Sequence, residues 1–95
     1  MRIYVSGPMT GMPHLNRESF DDACNDLLVD GHIPVNPYIE CSALSEQCAR
    51  GDYMWVDLKA LLDCDAIKML PGWEKSWEAV LEHTIAMAVK MDILY

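Results

Sequence analysis

The chain alternates between two hydrophobic periodicities, and that alternation limits its possible folds more than any other feature. Short runs rich in β-formers stand at Arg2–Ser6, His32–Asn36, Ala66–Leu70 and Asp92–Tyr95. Between the first two, Phe20, Ala23, Cys24, Leu27 and Leu28 recur at helical spacing with acids among them. Asp30-Gly31 closes that helix, glycine suiting the left-handed position that follows a helix end. A second helix is expected from Asp52 to near Asp63, with Met54, Val56, Leu58, Leu61 and Leu62 on its apolar side. A third runs from Ser76 to about Lys90, with a stripe of Trp77, Val80, Leu81, Thr84, Ile85 and Ala88 suited to packing on a sheet. The resulting β-α-β-α-β-α-β order predicts an α/β fold: a mostly parallel four-stranded sheet with helices on both faces and right-handed crossovers.

The punctuation agrees. Gly7-Pro8 ends the first strand, and Met9 to Pro13 reads as loop. Asn16 is a plausible N-cap for the first helix, with Ser19 as the alternative. Pro34 cannot donate to a sheet ladder, which assigns its strand to an edge. Residues Pro37 to Gly51 are the least patterned, loop or a short helical turn, and the best candidate for a mobile flap. No repeat, linker or low-complexity stretch divides the chain, so residues 1–95 read as one domain.

Ninety-five residues lie near the lower limit for a self-sufficient core. An apolar content of 52% provides one but leaves faces for a second subunit, so a homodimer or larger homo-oligomer is expected. The net charge of −8 argues against a DNA or RNA polymer as partner. It leaves room for a small nucleotide, whose phosphate a few local N–H groups can hold. Cys24, Cys41, Cys48 and Cys64 form no C-x-x-C pair and read as reduced thiols rather than metal ligands. The N-terminal apolar run is too short for a signal sequence, and no stretch approaches the roughly 18 apolar residues of a membrane span. The expectation is a soluble, cytoplasmic protein without metal, cofactor or membrane contact.

Chemistry is expected around Asp65 to Glu82, where a buried strand, a Pro71-Gly72 break and a helix opening at Ser76 follow one another. Ligands of α/β proteins bind beyond the carboxyl ends of strands, where loops lead into helix N-termini. Each residue there also has a plainer reading. From spacing alone Glu82 fits a solvated carboxylate on a helix flank, Asp65 a helix terminator, Tyr4 a core side chain and Ser76 a conventional N-cap. Trp73 suits either a base-stacking ring or a loop cover, and Trp77 suits packing on the sheet or across a dimer interface.

Three segments carry a resemblance: Tyr4-Val-Ser-Gly-Pro-Met-Thr-Gly11, Gly31-His-Ile-Pro-Val-Asn-Pro37, and Asp57 to Ile67 running on through Leu70-Pro-Gly-Trp-Glu-Lys-Ser76 to Glu82. Together they resemble the nucleoside 2-deoxyribosyltransferase-like superfamily, and most nearly its short uncharacterised relatives in phage and bacterial genomes. The resemblance implies a flavodoxin-like, Rossmann-like three-layer sandwich, usually dimeric or larger. The implied activity is cleavage of the N-glycosidic bond of 2′-deoxynucleosides or their 5′-monophosphates. By position, it implies Glu82 as nucleophile, Asp65 as the acid assisting at base or sugar, and Tyr4 as the group orienting Glu82. It also implies Ser6, Gly7 and Pro8 as a sugar-phosphate loop and Ser76 as a phosphate contact, while Trp73 stands as a substrate-binding candidate from its place in the loop, not from the resemblance.

One departure bears on the ligand. In the family it resembles, members with demonstrated activity usually carry glycines four and two residues before the nucleophile, and here those positions are Glu78 and Val80. A carboxylate in the first turn of that helix opposes an incoming phosphate and forms a like-charge pair with Glu82. Two function classes therefore stand side by side: an N-deoxyribosyl hydrolase or transferase, and a nucleotide-binding protein that sequesters or senses its ligand without turnover.

Overall fold

A computed structural model of the chain describes residues 1–9, 11–38 and 53–95. Four strands, β1 (Arg2–Ser6), β2 (Ile33–Val35), β3 (Ala66–Met69) and β4 (Asp92–Leu94), form one all-parallel sheet in the order β2-β1-β3-β4. Among the described residues three α-helices connect them: α1 (Arg17–Val29), α2 (Tyr53–Leu62) and α3 (Trp77–Ala88). This is the doubly wound α/β arrangement with flavodoxin-like strand order. The unpatterned stretch read as a flap lies, beyond Tyr38, outside the described residues, as does the expected cap Asp52.

Topology dictates which face each helix covers. The chain steps from β1 to β2 in one direction, then passes back over β1 to β3 and on to β4. Right-handed crossovers must then place the first helix on one face and the next two on the other. Two separate cores match this layout. Ile3 and Val5 meet Phe20, Cys24 and Leu27 of α1 on one side of the sheet. Tyr4, Ile67 and Met69 meet Leu61 of α2 and Ala79 and Ala86 of α3 on the other. The period of two along β1 thus sends Tyr4 and Ser6 toward α3.

The face of α3 departs from the sequence expectation. Its buried residues are Ala79, Glu82 and Ala86, while Trp77, Val80, Thr84 and Ala88 are exposed. Hydrophobicity alone favours the larger stripe. The alanines win because a helix presenting small side chains can lie close to the sheet, and the acid between them finds partners there. In the other two helices the expected stripes hold except for Leu28 and Leu62, which are exposed.

The β1–α1 connection also differs. Asn16 stands at the N-cap position of α1, but in a left-handed conformation (φ 63°) and with no side-chain cap bond. Its buried amide Nδ2 instead donates to the Pro8 carbonyl at 2.9 Å. His14 and Leu15 are left-handed as well (φ 50° and 53°). Three consecutive non-glycine residues in that region cost about 1–2 kcal/mol each, so the tie from Asn16 to Pro8 holds a loop that local preference opposes.

Candidate active site

In an open α/β sheet the crevice forms where successive connections leave β1 for opposite faces, here between β1 and β3. Glu82 enters this crevice from α3. It is buried, and both of its carboxylate oxygens are held by hydroxyls of β1. Tyr4 donates from its phenol to Oε2 at 2.5 Å, and Ser6 donates from Oγ to Oε1 at 2.7 Å. These lengths are those of hydrogen bonds to an ionised acceptor. The arrangement needs alternation in β1, to place Tyr4 and Ser6 on one face, and the alanine-lined face of α3, to bring Glu82 within reach.

The electrostatics are balanced between opposing effects. Burial raises the Glu82 carboxyl, the two hydroxyls pull it down, the Glu78 carboxylate one turn earlier adds a smaller push upward, and the balance leaves it at about 7. Burial, followed by the nearby carboxylates of Glu82 and Asp57, holds the Tyr4 phenol well above its ordinary range. Tyr4 is therefore a fixed donor near neutral pH. Glu82 changes charge there.

Two cavities share the Glu78 wall here. A narrow cleft of about 20 Å³, lined by Tyr4, Gly7, Asp57, Glu78 and Glu82 among others, opens on the carboxylate. That is room for one water. Beside it lies an outer cavity of about 540 Å³ walled by Pro8, Met12, Trp77 and the first turn of α3. Among the described residues Glu78 is the one residue lining both.

The structure brings Tyr4, Ser6, Gly7 and Glu82 together at the inner cleft, with Pro8 and Ser76 on the outer cavity. Ser6 acts directly on Glu82 rather than only shaping a loop. Ser76 caps α3, accepting from the Ala79 N–H at 3.4 Å. Gly7 is required by packing: a Cβ there would lie 2.7 Å from Cβ of Leu70. Gly7→Ala is expected to lower stability by about 1–3 kcal/mol through overpacking and to pull the β1 loop away from the cleft. Chemical denaturation of the two proteins measures the loss.

Two predicted residues are not brought to this site. Asp65 precedes β3 and is exposed, its Oδ2 accepting from the Arg2 N–H at 2.9 Å. It sits level with Arg2, four residues of strand below Ser6, or about 13 Å along the sheet. Trp73 stacks on His83 with ring centroids 4.3 Å apart, and the His83 ring reaches the Tyr95 hydroxyl at 3.0 Å. Its ring packs against those two side chains.

Asp57 is the acid that sequence reasoning passed over. It is buried on α2 and lines the inner cleft with Glu82. Its signal was available, since an acid between Val56 and Leu58 interrupts the apolar side of that helix. Among the described residues no three His, Cys, Asp or Glu are grouped to hold a metal ion, and no helix is long and apolar enough to cross a membrane.

Fold and site together define a doubly wound α/β protein with a buried, hydroxyl-held carboxylate at the switch point of its sheet. The sequence profile of the family described as "Domain of unknown function (DUF4406)" matches residues 1–95, and the chain belongs to that family. No curated protein matches it.

Proposed function

We propose that this protein is an N-deoxyribosyl hydrolase or transferase, cleaving the N-glycosidic bond of a 2′-deoxynucleoside or its 5′-monophosphate with Glu82 as nucleophile. The observation that carries the reading is the pair of β1 hydroxyls on Glu82. Each holds one lone pair of a carboxylate oxygen, which fixes the group's direction and leaves the remaining lone pairs for attack. Departure of a base from deoxyribose passes through an oxocarbenium-like state, which a carboxylate on the far face of the anomeric carbon stabilises and then traps. A Glu82 oxygen would bond to C1′ as the C1′–N bond breaks and the electron pair leaves with the base. Water, or a second base, would then displace Glu82 from the sugar.

The leaving base needs a proton, and Asp57 is the acid that lines the same cleft. Its role replaces the one expected of Asp65. Asp57→Asn is expected to slow release of poorly leaving bases more than of activated ones, a contrast a purely structural role would not produce.

A second reading, ligand binding without turnover, draws on the narrowness of the inner cleft. Room for one water does not admit a sugar unless the walls move. The test of both is incubation with the four deoxynucleosides and their 5′-monophosphates, following free base by chromatography, with Glu82→Ala alongside. Base release that vanishes in the variant supports the enzyme. A ligand-dependent rise in melting temperature without free base supports binding alone, and indifference to the whole panel removes both.

The reading includes self-association. Trp55 on α2 and Trp77 on α3 are 65% and 64% exposed, on helices that pack against each other. Two exposed indoles on adjoining helices offer apolar area that a second subunit can cover. Sedimentation is expected to give the mass of a dimer or larger, and Trp55→Asp to shift it toward the monomer. A monomeric wild type would remove this part.

A further inference from the structure

The reading of Glu82 as a sugar-directed nucleophile leaves open whether the substrate carries a phosphate. Glu78 bears on that choice. The inner cleft of about 20 Å³ can receive little more than the reacting atoms, so a ligand presented to Glu82 keeps its bulk in the outer cavity. At about 540 Å³ that cavity has the size of an ordinary small-molecule site. Met12, Pro71 and Trp77 give it apolar walls, and among the described residues its polar side chains are Lys75, Ser76 and Glu78.

The start of α3 already has its anion. Glu78 stands in the first helical turn, where the unpaired N–H groups and the helix dipole favour negative charge. Ser76, whose hydroxyl would serve an incoming phosphate, instead donates to Oε2 of Glu78 at 3.4 Å while accepting from Ala79. Lys75 lines the same cavity, so the two charged side chains offset each other before any ligand arrives. A phosphomonoester would add close to two negative charges to a site that also contains Glu82. A sugar hydroxyl, by contrast, can donate to the Glu78 carboxylate in a charge-assisted hydrogen bond.

We propose that Glu78 makes the outer cavity a subsite for the uncharged, hydroxyl-bearing end of an unphosphorylated nucleoside and sets the site against the corresponding 5′-monophosphate. This rests on the reading above that a nucleoside sugar is delivered to Glu82. It assigns Glu78 as a specificity-determining residue.

The test is the ratio of affinities for each deoxynucleoside and its 5′-monophosphate, by calorimetry, or of kcat/KM where base is released. Wild type is expected to favour the nucleoside by tenfold or more. The preference should narrow as salt screens the repulsion. Glu78→Gln keeps the shape of the side chain and removes its charge. It is expected to shift the ratio at least tenfold toward the monophosphate. A wild-type protein that binds the monophosphate as well as the nucleoside overturns the proposal, as does an unchanged ratio in Glu78→Gln. If neither series binds at all, the parent reading of a nucleoside site falls, which is a different result from a nucleoside site with the wrong preference.

Discussion

Base release by Glu82→Ala is expected to fall on the order of 10³-fold or more below wild type, because removal of a nucleophile removes the covalent path itself. The pH profile is the sharper part of this prediction. With Glu82 as the proposed nucleophile, only its ionised form would attack, and burial holds it at about 7, so release should climb through neutral pH and level off above it. Neighbouring groups should move that midpoint in defined directions. Tyr4 and Ser6 both hold the carboxylate in its charged form, so Tyr4→Phe and Ser6→Ala should each raise the midpoint. Glu78 opposes ionisation, so Glu78→Gln should lower it. Initial rates of free-base formation between pH 5 and 9 measure all four. A midpoint that stays put in Tyr4→Phe would remove Glu82 from the rate-determining ionisation.

This network was partly legible in the sequence, and the reasons for the rest are physical. Strand positions could be read because β-formers sit between strong breakers, and β1 matches its expected bounds at Arg2–Ser6. The parallel order follows from alternation, since parallel neighbours need a crossover long enough for a helix. Tyr4 and Glu82 were named through the resemblance, but their contact joins residues 78 positions apart and no local pattern encodes it. Ser6 illustrates the limit. Its neighbours Gly7 and Pro8 suggest a loop, whereas its strand parity with Tyr4 is what points it at the carboxylate.

The misplacement of Asp65 has a different origin. The carboxyl-end rule was available, but Asp65 stands before the amino end of β3, and the resemblance placed it at the site against that rule. The crevice lies at the carboxyl ends, so an acid preceding β3 is at the far end of the strands from it, whereas Asp57 on α2 lines the cleft beside Glu82. The turned face of α3 is related. Periodicity ranks stripes by hydrophobicity, and it has no means of scoring an alanine–glutamate–alanine face whose acid is satisfied from another element.

Glu82→Gln is expected to stabilise the folded protein above neutral pH, by about 3 kcal/mol from a carboxyl raised from 4.5 to about 7. Because the folded state holds its proton more tightly than the unfolded chain, the favourable contribution is complete below pH about 4.5 and is lost as pH rises through about 7. Above that the buried carboxylate is charged in both states and its desolvation weighs on the fold without further change. A neutral amide avoids that cost while still accepting from one hydroxyl. Denaturant midpoints of wild type and Glu82→Gln should therefore converge near pH 4 and separate by pH 8, with the variant the more stable. The outcome that contradicts this is a variant less stable than wild type at pH 8, which would mean that the Tyr4 and Ser6 bonds outweigh the burial of the charge. Confirmation would give the site a thermodynamic signature independent of any substrate: a carboxylate kept at a cost to stability, at the switch point of the sheet, as groups held for chemistry rather than for folding are.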